Sequence, residues 1–70
     1  MDFEELKLHV GRRIKHYREK KGLQQQALAA KIDYDKSNMS RLEAGKMNVT
    51  LLTLHTVARA LDINIEDLLK

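Results

Sequence analysis

Lys36, Ser37, Ser40 and Arg41 lie close together, and no acidic side chain falls between Lys36 and Arg41. Arg carries a fork of donors that pairs with guanine O6 and N7, Lys donates to the same atoms, and Ser donates or accepts. On one exposed helical face, these residue types can read base edges. An acid among them would repel phosphate. Other chemistries are poorly served. The chain has no Cys, which excludes disulfides, thiolate catalysis and Cys-ligated metals. His9 and His16 stand two helical turns apart, too far for one ion, and no carboxylate–His spacing around them or His55 resembles a zinc site. Neither a metal nor another cofactor is expected. There is no Gly-rich phosphate loop and no pair of acids set for catalysis, and a short chain has little room for a pocket. A non-enzyme is expected.

The elements that must position these side chains can be read from periodicity. Phe3, Leu6, Val10, Ile14 and Tyr17 form one helical stripe over residues 3–21, with Asp2 as N-cap and Glu5 at the capping-box position. Leu8 lies off that stripe, and Gly11 weakens the helix without stopping it. Gly22 suits the left-handed residue past its end. A second helix over 24–32 turns Leu28, Ala29 and Ile32 inward, with Gln24 a mediocre cap. Asp33 sits where the chain must turn, and Asp tolerates positive φ better than most residues. Tyr34 offers an apolar body to the core. Asp35 caps a third helix over 36–44 with Met39 and Leu42 inward, and Gly45 ends it. Thr50 caps a fourth over 51–61, with Leu51, Leu54, Val57, Ala58 and Leu61 inward. Asn64 caps a fifth over 65–69, with Asp67 at the box position and Ile65 and Leu68 apolar.

The whole is read as an all-α fold of five short helices in a single domain, residues 1–70. Seventy residues and 43% apolar content allow one small core. No apolar run approaches the ~18 residues of a membrane span, and the acidic, amphipathic N-terminus does not read as a signal peptide. A cytoplasmic location without membrane contact is expected. Net charge is +3, and Arg12, Arg13, Lys15, Arg18, Lys20 and Lys21 cluster in one segment. Charge alone leaves two readings open, a basic surface for a polyanion and an ordinary solvated helix.

Two helices joined by a tight turn become a DNA-reading unit when they pack closely, for which Ala29 is small enough. The chain resembles the lambda-repressor-like (Cro/repressor-type) helix-turn-helix family. The resemblance rests on Arg18, Gly22, Leu23, Gln25, Leu28, Ala29, Ser40, Leu42, Glu43, Gly45 and Lys46, extended by Thr50, Leu51, Leu54, Val57, Ala58, Ala60 and Leu61. It runs from about Gly11 to Leu69 and implies a five-helix DNA-binding domain with its helix-turn-helix at 24–44. It implies base contacts from Lys36, Ser37, Arg41 and Ser40, and backbone contacts from Gln25, Asn38, Lys46, Asn48 and Arg13. Arg18 and Glu43 match a pair that forms an internal ion bridge. The run Gly45–Thr50 is also similar to controller proteins of restriction–modification systems. Two residues depart from the pattern. Gln24 stands where Ser or Thr is usual, and Asp33 where Gly or Asn is usual.

Leu52 falls off the inward stripe of the fourth helix, beside His55, Thr56 and Arg59, and Leu69 is equally hard to bury in so small a core. These five residues are the expected homodimer interface, although scattered exposed Leu is ordinary. The expected function is a sequence-specific transcriptional regulator, a repressor-type protein binding operator DNA as a homodimer. The alternative is an antitoxin-type protein-binding module that also binds its own promoter. A toxin or RNA polymerase would then be a protein partner.

Overall fold

The computed structural model describes all of residues 1–70. Asp2 starts the first helix with a reciprocal box. The Glu5 amide donates to Asp2 Oδ1 at 2.8 Å, and the Asp2 amide donates to Glu5 Oε1 at 3.0 Å. From there α1 runs Phe3–Lys20 and ends at Gly22, whose φ is 73°. Next comes α2, Gln25–Lys31, and as expected Gln24 gives its N-terminus no side-chain hydrogen bond. The chain turns at Asp33 with φ 55°. Asp35 Oδ1 accepts from the Ser37 amide at 2.7 Å and starts α3, Lys36–Glu43. Thr50 Oγ1 accepts from the Thr53 amide at 3.1 Å and starts α4, Leu51–Ala60.

The expected fifth helix is a single 3₁₀ turn, Ile65–Leu68, so the chain has four α-helices rather than five. Four residues are too few for a ladder that reaches four back. The Asp67 and Leu69 amides instead bond three residues back, to the carbonyls of Asn64 and Glu66. The turn still closes the core, because Leu68 is fully buried. Nor is α1 short, with its 18 residues.

One core holds the molecule together. Val10 and Ile14 of α1 meet Leu28 and Ala29 of α2, Met39 and Leu42 of α3, Leu54, Val57 and Ala58 of α4, then Leu61 and Leu68. Leu6, Tyr17, Leu23, Ile32, Tyr34 and Ile65 are half-buried around it. Two residues expected inside are outside: Phe3 is 56% and Leu51 75% exposed. Each is the first residue of its helix. A helical side chain covers the turn N-terminal to its own Cα, and at a first residue that turn lies beyond the core.

Gly11 has a role that its weak helix propensity conceals. It is buried where α3 ends against α1, and a Cβ there would collide with the Glu43 carbonyl oxygen and lie 2.8 Å from that of Leu42. Both atoms are backbone and cannot swing aside. Gly11→Ala should therefore destabilise the fold by about 1–3 kcal/mol, although Ala is the better helix former by roughly 1 kcal/mol. Urea unfolding measures the sign, and a more stable variant would contradict the close approach.

Candidate nucleic-acid interface

The outer face of α3 is built from the inside. Met39 and Leu42, four and one residues from its C-terminal Glu43, are buried at 0% and 2%. That registers Lys36, Ser37, Ser40 and Arg41 outward, and all of them are exposed, with Asn38 half-buried at the edge. No acid shares this face. Asp35, just before it, holds the helix N-terminus through Ser37.

The acid that ends α3 is turned inward. Arg18 Nε donates to Glu43 Oε2 at 2.6 Å, and Arg18 Nη2 donates to Glu43 Oε1 at 3.0 Å. This two-pronged pair is sealed, with the side chains 9% and 3% exposed. Arg18 Nη1 also donates to the Leu23 carbonyl at 2.7 Å, and Gln25 Nε2 donates to Glu43 Oε1 at 3.0 Å. The hydrogen bond and charge of Glu43 hold Arg18 above its ordinary pKa, outweighing the opposing effect of burial. Raised pKa in a cation means that charge, and its stabilisation, persist at every pH below the ordinary arginine value. No buried side-chain nitrogen or oxygen in the protein lacks a partner. The network ties α1, the α1–α2 connection, α2 and the end of α3 together, as the resemblance implied for the ion pair.

Past α3, Gly45 turns the chain with φ 73°, and its α-carbon packs so near Leu8 that a Cβ would lie 2.8 Å from the Leu8 backbone. Leu8, off the inward stripe of α1, thus has a task in seating this loop. Lys46 and Asn48 are exposed on it, and Lys7 Nζ donates to Asn48 Oδ1 at 3.5 Å. Arg13 is placed differently from the other expected phosphate contacts. Its Nε donates to the Asp67 carbonyl at 3.2 Å, and its Nη2 donates to the Tyr17 hydroxyl at 2.8 Å. It pins the C-terminal turn to α1. Sequence reading missed this, as it missed the Gln25–Glu43 bond, since both join elements distant in the chain.

On α4, Leu52 is 74% exposed, with His55 and Arg59 exposed beside it. Thr56 is half-buried, and its hydroxyl donates to the Leu52 carbonyl at 2.8 Å. Leu69 is 43% exposed after the C-terminal turn. A shallow groove between α4 and that turn is lined by His55, Arg59, Ile63, Ile65 and Glu66 among others. The structure contains no group of three or more His, Asp or Glu that could hold a metal, and no helix long and apolar enough to cross a membrane.

Residues 13–70 match the family model for the Cro/C1-type helix-turn-helix DNA-binding domain. The chain belongs to that family. Control protein C.MunI of a Mycoplasma species is 37% identical over 65 residues, spanning 91% of this chain and 88% of that one. The restriction–modification controller protein C.AhdI of Aeromonas hydrophila has a similar solved structure, with a TM-score of 0.84 at 36% identity, covering 87% of this chain and 92% of that one. The biofilm regulator SinR, solved in complex with DNA, superposes with a TM-score of 0.82 at 35% identity over 87% of this chain and 98% of its own. Within the Cro/C1-type family, then, this chain sits beside DNA-binding transcriptional regulators and controller proteins, not enzymes.

The sealed pair generates a stability test of this Cro/C1-type domain. Glu43→Ala strands the Arg18 charge and should cost about 3–5 kcal/mol, whereas the double change Arg18→Met, Glu43→Leu should cost clearly less. Urea midpoints of the two variants decide it. Equal losses would mean that the pair is solvated.

Proposed function

We propose that the protein is a sequence-specific transcriptional regulator that binds operator DNA as a homodimer, with α3 in the major groove. The observation that carries this reading is the division of α3. Its one acid is neutralised and buried against Arg18, while Lys36, Ser37, Ser40 and Arg41 stand free on the other side. Phosphate contacts fix the register of such a protein, and base contacts specify the site. In this reading Lys36, Ser37 and Arg41 read bases, with Ser40 and Asn38 at the margin. Lys46 and Asn48 hold the backbone from the following loop. Gln25 still has one amide proton free for a phosphate after its bond to Glu43. Arg13, engaged with Tyr17 and the C-terminal turn, acts on the fold instead.

Two copies follow from the length of the reader. With 8 residues, α3 is about 12 Å long and spans only three or four base pairs at about 3.4 Å each. One such contact specifies little. A two-fold dimer places a second α3 about 34 Å away, one DNA turn, on a palindromic site. The surface in favour is α4 with the C-terminal turn, where Leu52 and Leu69 are exposed, His55 and Arg59 line the shallow groove, and Thr56 lies on the same helix. Within residues 1–70 no element covers the exposed Leu52. Occlusion of a promoter or contact with polymerase then regulates transcription.

Two outcomes test this reading. Arg41→Ala should lose about 1–3 kcal/mol on a site selected from random DNA and relax preference at one base pair. An equal loss on random duplex would assign Arg41 to phosphate. Sedimentation at tens of micromolar should give twice the 8.1 kDa chain mass, and Leu52→Glu should return it to the monomer. A wild-type monomer bound singly to DNA would end the dimer model.

A further inference from the structure

The two ends of α3 are joined by a contact that the DNA-reading residues do not explain. Tyr34 lies in the turn before α3 and Met47 in the loop after it. The Tyr34 hydroxyl donates to Met47 Sδ at 3.8 Å. Both side chains are half-buried and pack against the core. Their backbones are anchored nearby, through the Tyr34 amide to the Ala29 carbonyl at 2.7 Å and the Lys46 amide to the Arg41 carbonyl at 2.9 Å. Met47 falls between Lys46 and Asn48, the two exposed polar residues of the loop. Apart from this contact, the side-chain hydrogen bond between that loop and the rest of the protein is the long, exposed one from Lys7, while Val49 packs against the core.

We infer that Tyr34 and Met47 form a brace that positions Lys46 and Asn48 for the DNA backbone, and that the Met47 thioether makes this brace sensitive to oxidation. The inference rests on the DNA-binding reading above. A loop free to move holds phosphates poorly, because ordering it on binding costs conformational entropy. A thioether is a weak acceptor, so the brace holds through its half-buried packing as well as its hydrogen bond. Of the three methionines, Met39 is sealed in the core at 0% exposure and Met1 is 77% exposed at the chain end. Of the three, Met47 alone is partly exposed and set between Lys46 and Asn48. A peroxide supplies the oxidant. Sulfur forms a bond to one peroxide oxygen and loses two electrons, the O–O bond breaks, and the other oxygen leaves as water. The product sulfoxide is larger and polar, and an oxygen added between Sδ and the Tyr34 hydroxyl, 3.8 Å apart, crowds and repolarises this contact.

The test uses the full chain, a site selected from random DNA, and an unrelated duplex of equal length. Tyr34→Phe and Met47→Leu keep the packing and remove the hydrogen bond. Each should weaken binding about threefold to tenfold on both duplexes alike, leaving the preference between them unchanged. The double variant should be no weaker than the weaker single. Lys46→Ala should cost less in the Tyr34→Phe background than in wild type, a coupling that loss of general stability would not produce. Hydrogen peroxide treatment that adds one oxygen at Met47, located by mass spectrometry, should lower wild-type affinity and leave that of Met47→Leu unchanged. Full affinity in a folded Tyr34→Phe protein, additive losses with Lys46→Ala, or an oxidised Met47 that binds normally would each overturn the brace. If the wild type binds neither duplex at any salt concentration, the DNA-binding reading itself fails.

Discussion

The ion pair between Arg18 and Glu43 is the constraint on which the rest of this domain depends. A buried charge tolerates no alternative packing in which its partner is missing, because removing one member costs far more than replacing both. Arg18 satisfies this demand by meeting Glu43 with two donors and the Leu23 carbonyl with a third. Gln25 adds a donor from α2. The end of α3 is thereby registered against both earlier helices. Gly11 makes the geometry possible, since only a residue without a side chain lets the last carbonyls of α3 come so near α1.

The same pair sets the electrostatics of the outer surface. A free glutamate at the end of α3 would oppose any polyanion close by. Bound to Arg18 and buried, Glu43 presents almost nothing to solvent. Asp35 is likewise engaged, at the N-terminus of the helix where negative charge is favourable. The polar side chains that remain outward on α3 and the loop beyond it are Lys36, Ser37, Ser40, Arg41, Lys46 and Asn48. A net charge of only +3 is thus no measure of how positive this face is.

Size explains the other surface. With 14 of 70 residues buried, the core is used up by one side of each helix. Leu51 and Leu52, at the start of α4, stay largely exposed, and the groove beside the C-terminal turn is left open. A larger domain would cover such a face with another helix. In the proposed dimer a second copy would do the same work and double the length of DNA that can be read.

Most local signals were legible along the chain, although the left-handed turn at Asp62 was not. Asp2, Asp35 and Thr50 cap the helices they precede, Asp33 takes the left-handed turn, and the periodic residues Val10, Ile14, Leu28, Met39, Leu42 and Val57 are the core. Capping, turning and amphipathic patterning depend on neighbours within a few residues, so the sequence by itself determined them, and the family resemblance supplied the Arg18–Glu43 pairing. Only the tertiary structure decided how the helix ends are spent. It left Phe3 and Leu51 exposed where their stripes overrun the core, reduced the last helix to one turn, and committed Arg13 to the Asp67 carbonyl. It also turned Gly11 from a weak point into the contact between α1 and α3, and joined Tyr34 to Met47 across α3. These outcomes depend on which elements meet in space, and no periodicity within a single helix carries that information.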